Sequence, residues 1–145
     1  MRDPLTSVFS PIRPYAGWAL RIVFGVTFLF YGLNKAAGLS GFADMMLGGN
    51  MVLAALVAFA EIAAGLGIIA GAFTSSFVTR LAGLAILPVM LGAIFMVHLQ
   101  NGFHFMSQPV DPTLMGGWNF QFVLIGIGLF YLVAGNSDLK ANSSR

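Results

Sequence analysis

Six side chains combine reactive chemistry with an apolar setting: Arg21, Tyr31, Lys35, Glu61, His98 and Trp118. Glu61 stands inside a long apolar run, with Ala54, Ala58, Ala64 and Gly65 near its helical face. A charge within a bilayer costs about 2.5–3.5 kcal/mol on insertion scales, so each one needs a reason. A functional reason is a proton or ligand site. A structural reason is a carboxyl, neutral or paired, that fixes how helices pack, since small neighbours let another helix approach closely. Arg21, Gly25, Phe28, Gly32 and Lys35 fall within one arc of a 3.6-residue helix, so both cations share a face with both glycines. Packing that face on the helix of Glu61 brings a cation toward the carboxylate. On ideal helices Arg21 is nearer in depth, by about 7 Å against about 13 Å for Lys35. The lean of helical side chains toward their own N-terminus argues the other way. The resulting expectation is an Arg21–Glu61 pair, with Arg21 snorkelling to the headgroups as the alternative.

A second group gathers Tyr31, Asn34, Lys35, His98, Gln100, Asn101, His104, Trp118, Asn119 and Gln121 at the opposite ends of their segments. Such a group suits a pocket for a polar head with an apolar tail, as in a quinone or a lipid. It also suits an interfacial belt, where Trp and Tyr accumulate. His98 and His104 are six residues apart, on roughly opposite helix faces, without a thiolate or close carboxylate beside them. No metal site is expected. Nucleophile–base motifs, phosphate loops and dinucleotide fingerprints are absent from the sequence.

The elements that must position these residues are apolar helices. A spanning helix needs about 20 mostly apolar residues. Segments 15–36, 51–72, 77–98 and 118–134 qualify, the last being the shortest. The expected fold is therefore all-α, an integral membrane four-helix bundle forming a single membrane domain over residues 1–145. Pro11 and Pro14 precede the first span. Gly38, Gly41, Gly48 and Gly49 mark a loop after it, and Thr74, Ser75 and Ser76 a tight turn between spans two and three. The longest connection, 99–117, carries Pro109 and Pro112, and a loop so polar in so small a chain draws attention. Pro88 lies inside the third span and predicts a kink, which membrane helices tolerate.

Composition agrees. Of 145 residues, 58% are hydrophobic and 8% charged, where a soluble domain carries about 25%. Mean hydropathy is +0.87. Seven basic and five acidic residues cannot coat a soluble globule, and there is no basic patch to bind nucleic acid. The absence of cysteine excludes disulfides, thiol relays and iron–sulfur clusters. Arg2, Arg13, Arg80, Lys140 and Arg145 fall on one side of an even-numbered bundle and only Lys35 on the other, which predicts that both termini are cytoplasmic. The first span lacks a small-x-small cleavage site and is expected to be retained.

Leu20-Arg21-Ile22 with Gly25, followed by Tyr31-Gly32-Leu33-Asn34-Lys35, resembles the first span of DoxX-like membrane proteins. Glu61 with Gly65 and Gly71, then Thr79-Arg80-Leu81-Ala82, is similar to that family's second span and the turn after it. Val97-His98-Leu99-Gln100-Asn101-Gly102-Phe103 and Gly117-Trp118 match its third-span end and the start of its fourth, so the resemblance covers residues 16–135. Tyr31 stands where many members have His, and Gly135-Asn136-Ser137-Asp138 replaces a Gly-Pro-Gly-like ending. The resemblance implies a four-helix bundle in a bacterial inner membrane, without fixing one activity. Some relatives are described as the membrane subunit of a thiosulfate:quinone oxidoreductase. The implied role is a small subunit of a quinone-linked redox complex, with no covalently bound cofactor and a quinone as the possible ligand. The chain has no redox centre of its own, so catalysis alone is not expected and electrons come from a partner. The alternatives are a non-catalytic scaffold or assembly subunit within a larger complex or homo-oligomer, and, after that, a small-solute or proton transporter.

Overall fold

A computed structural model describes residues 4–105 and 116–140. Secondary structure among these residues is helical throughout: α1 (Pro4–Phe9), α2 (Ala16–Ala37), α3 (Leu39–Met46), α4 (Met51–Phe73), α5 (Ser76–Ala93), α6 (Asn119–Ala134) and α7 (Ser137–Lys140). Beyond Ala93 the helical path of α5 widens into a π-turn, Ile94–His98, and tightens into a 3₁₀ turn, Leu99–Asn101. Three helical runs are long and apolar enough to cross a membrane: Ala16–Ala37, Met51–Phe73 and the continuous Ser76–Asn101. The apolar helix α6 is shorter, with 16 residues. That is about 24 Å of rise.

Local chemistry sets the boundaries. Asn50 caps α4 by accepting the Leu53 N–H at 3.0 Å, and Ser75 caps α5 by accepting the Val78 N–H at 3.3 Å. The turn between those helices is only two residues long, which makes them antiparallel neighbours. Gly135 ends α6 with φ +59°, a left-handed conformation that favours glycine. It turns the chain directly into α7.

Two ends of the bundle can be distinguished. The start of α2, the α4–α5 turn and the end of α6 form the terminal end. The end of α2, α3, the π-turn and the start of α6 form the distal end. One sequence expectation is corrected at the distal end: the glycine-marked stretch after span one is not a plain loop but contains α3. Ala43 is fully buried there, so a short amphipathic helix gains packing that a loop would forgo. Pro88 lies within α5, which continues past it. Pro109 and Pro112 lie outside the described residues.

Neighbours run in the order α2, α4, α5, α6. In lipid, helix association relies on close packing rather than on burial from water. Glycines supply the closeness. A Cβ added at Gly65 would lie 2.8 Å from the Gly25 carbonyl oxygen, and one at Gly83 2.6 Å from the Gly128 carbonyl oxygen. Phe24, Phe28, Ile68, Ile86 and Tyr131 fill the core between these contacts. α2 meets α6 through ring pairs, Phe24–Tyr131 at 5.9 Å and Tyr31–Phe120 at 6.4 Å. The outer faces present Val26, Phe30, Val52, Phe59, Phe77, Phe95 and Val133, a surface suited to lipid rather than water.

Candidate functional site: a cavity at the distal end

The α2–α4 register decides which cation meets Glu61. A Cβ at Gly32 would lie 3.0 Å from the Glu61 Cβ, so Glu61 stands level with Gly32. Lys35 is then about 4.5 Å further along α2 and Arg21 about 16 Å away in the other direction. Lys35 Nζ donates to both carboxylate oxygens of Glu61, at 3.0 and 2.7 Å. The expected Arg21–Glu61 pair is therefore corrected to Lys35–Glu61. Depth counted on ideal helices misjudged the offset, whereas side-chain lean pointed the right way. Snorkelling of Arg21 is corrected too, because Arg21 is fully buried.

Arg21 belongs to a separate cluster at the terminal end. Its Nε and Nη2 donate to Asp138 at 2.9 and 2.7 Å, and Nη1 donates to the Ile68 carbonyl at 2.9 Å. Nη2 also reaches the Gly135 carbonyl and the Asn136 amide oxygen, at 3.2 and 3.1 Å. Thr79 Oγ1 donates to that same amide oxygen at 2.6 Å, and the Asn136 amide nitrogen donates to the Gly71 carbonyl at 2.8 Å. These groups all have protein partners and hold the helices together, while the hydroxyl of Tyr131, whose ring lies 5.0 Å from the Arg21 guanidinium, is buried without a hydrogen-bond partner. Sequence reasoning met Asp138, Asn136 and Thr79 only within the family motifs and gave none of them a partner. The available signal was an acid four residues past the fourth helix, at the same end as an unpaired buried arginine.

Lys35 and Glu61 line a cavity of about 700 Å³. Its wall includes Phe28, Tyr31 and Asn34 from α2, Phe42, Met45 and Met46 from α3, and Leu53 and Val57 from α4. Val89, Met90, Val97 and His98 close the α5 side, and Phe120, Gln121 and Leu124 the α6 side. Lys35 Nζ sits 5.3 Å from the Tyr31 ring centre and 5.4 Å from that of Phe42, so cation–π contacts complement the carboxylate. His98 is carried by the π-turn, a distortion that recurs at functional sites. Its Nδ1 lies 2.7 Å from the Gly116 carbonyl oxygen, which also accepts from Asn101 Nδ2 at 3.3 Å. The Trp118 N–H donates to Gly102 at 3.1 Å, and these bonds bring the start of α6 against the end of the α5 run.

Of the six residues singled out from sequence, Tyr31, Lys35, Glu61 and His98 thus share one cavity. Arg21 is at the other end. Trp118 lies at the distal end outside the cavity wall, edge-on to Phe103 at 4.6 Å. The α3 methionines were not foreseen as wall residues, because no helix was expected there.

A family model described as DoxX matches residues 17–99, more than half of the chain. The chain belongs to the DoxX family. No curated protein and no solved structure matches it. With its apolar helices, it is a DoxX family membrane protein. The matched stretch contains Tyr31, Lys35, Glu61 and His98 and stops before α6, which this DoxX chain uses to close the fourth side of the cavity.

Proposed function

We propose that this DoxX protein is a small membrane subunit of a quinone-linked redox complex and that the distal cavity holds the quinone. The observation carrying the reading is the cavity: about 700 Å³, walled by aromatic, Met, Leu and Val side chains, with one ion pair and one histidine converging on it. Volumes of about 300–1,000 Å³, mostly apolar with a few placed polar groups, are those of small-molecule sites. A quinone ring fits the aromatic and methionine wall, its prenyl tail fits the surrounding lipid, and its oxygens fit the polar groups. Electrons come from a partner subunit, since the sequence carries no cysteine to hold an iron–sulfur cluster or a thiol relay.

In this reading α6 is the fourth span. Its shortness is accommodated by local thinning of the bilayer, with Trp118 at the interface. Arg13 and Arg80 at the terminal end, against Lys35 at the distal end, orient the bundle with both termini in the cytoplasm of a bacterial inner membrane. The cavity then opens in the outer half of the bilayer.

The test is purification from native membranes in mild detergent, followed by mass spectrometry of every protein and lipid that accompanies the chain. A bound quinone with a stoichiometric redox partner is the expected result. A large complex without quinone would make the chain a scaffold and overturn the reading.

A further inference from the structure

Resting on the quinone reading, we infer that the apolar tail of the ligand leaves the cavity through a cleft between α4 and α5, with Gly92 as the residue that admits it. The two helices touch near their shared turn: a Cβ added at Gly67 would lie 2.9 Å from the Ala82 Cβ. Following that antiparallel register toward the distal end sets Val57 level with Gly92 and Leu53 level with Met96. There the helices have parted. A Cβ added at Gly92 meets no atom within 4 Å, and all four residues line the cavity. Two departures from a regular helix frame this stretch of α5. Pro88 has no N–H to give the Leu84 carbonyl, and the π-turn widens the backbone at Ile94–His98.

Wall residues that are also exposed mark where the cavity opens. On α2 they are Tyr31 and Asn34, beside the Lys35–Glu61 pair, and on α3 Gly41 and Met45. On α5 they are Pro88 and Met96, the latter 60% exposed. The cleft itself is apolar, with Leu53 and Val57 on one lip and Pro88, Gly92 and Met96 on the other. The cavity is thus polar toward α2 and apolar toward the cleft, which is the division of a ligand with a polar head and an apolar tail. Depth agrees. Gly92 lies about 24 Å along α5 from Ser76. It falls inside the apolar run Ser76–Asn101, so a chain passing over it enters hydrocarbon. With a hydrogen in place of a side chain, Gly92 leaves the cleft its width.

The experiment uses the full chain in nanodiscs and two probes with one head: 2,3-dimethoxy-5-methyl-1,4-benzoquinone, and the same ring carrying a decyl tail with a diazirine near its middle. Irradiation attaches the tail to what it touches, and mass spectrometry reads the position. Attachment is expected at Leu53, Val57 and Met96, and excess tailless probe should suppress it. Gly92→Leu fills the cleft. Its thermal stability should match or exceed that of the native chain, because the added side chain starts in open space and glycine is a poor helix former. It should bind the decyl probe about tenfold more weakly, the scale of a packing clash, with tailless binding unchanged. Attachment on α2 or α6 instead, or decyl and tailless binding that change together or not at all in Gly92→Leu, would overturn the inference and leave the quinone site standing. Attachment that the tailless probe does not suppress would show a lipid-like chain lodged without its head and would overturn it too. Failure of both probes to bind would remove the site and the inference together.

Discussion

Arg21 and Asp138, 117 residues apart, are joined by two charge-assisted hydrogen bonds of 2.9 and 2.7 Å, and Gly17 leaves room for the carboxylate. A Cβ at Gly17 would lie 2.7 Å from Asp138 Oδ2. The pair ties the tail after α6 to the first turns of α2, alongside the Arg21 bonds to Gly135 and Asn136. Removing one member of a buried pair strands the other charge, at about 3–5 kcal/mol. Asp138→Ala should therefore lower thermal stability in detergent sharply. Arg21→Met combined with Asp138→Leu should lower it less than the single change. A double variant less stable than Asp138→Ala would mean that the pair contributes attraction well beyond its own desolvation.

Gly65 and Gly126 make a contrasting pair of alanine substitutions. A Cβ at Gly65 would press on backbone, 2.8 Å from the Gly25 carbonyl oxygen and 2.9 Å from the Leu29 nitrogen, so α2 and α4 must separate. Overpacking of this kind costs about 1–3 kcal/mol. At Gly126, inside α6 on its outer face, nothing lies within 4 Å of an added Cβ. Gly126→Ala should be neutral or stabilise by up to about 1 kcal/mol. Thermal unfolding followed by tryptophan fluorescence compares the two. Equal effects would contradict glycine-mediated contact between α2 and α4.

The face of α2 that packs on α4 was readable from the sequence, because the 3.6-residue spacing of Gly25, Phe28 and Gly32 is a local pattern. The register along that face was not. It depends on how the chain between Ala37 and Met51 is consumed, and eight of those residues coil into α3 although its glycines signal a loop. One such difference moved Glu61 from Arg21 to Lys35. The Arg21–Asp138 bond was beyond reach for a related reason: it joins chain ends through a tail whose direction is set by a single left-handed glycine. The cavity combines both effects, since its polar residues are visible one at a time but its floor of Met45 and Met46 exists only once α3 has formed.

Lys35→Met should destabilise the bundle more than Glu61→Gln. The Glu61 side chain is 3% exposed and would be left without its cation, while the Lys35 side chain, 21% exposed, can turn its ammonium toward the interface. Lys35→Met with Glu61→Met should recover much of the lost stability. Quinone binding separates packing from ligand recognition in that double variant. Loss of binding at near-normal stability supports a ligand role for the pair. Retained binding would limit Lys35 and Glu61 to holding α2 against α4.

The absence of native cysteine makes the membrane orientation directly measurable. Thr74, Ser137 and Ser40 are exposed, the first two at the terminal end and the last at the distal end. In intact cells a membrane-impermeant maleimide should label Ser40→Cys and spare Thr74→Cys and Ser137→Cys, which should react only after the membrane is opened. The same set tests α6. Its 16 residues are short for a span, yet Asp138 is bonded to Arg21 at the start of α2, so residue 137 must share that side if the fold persists in the bilayer. Labelling of Ser137→Cys from outside, with Thr74→Cys protected, would break the fourth span and with it the closed side of the cavity.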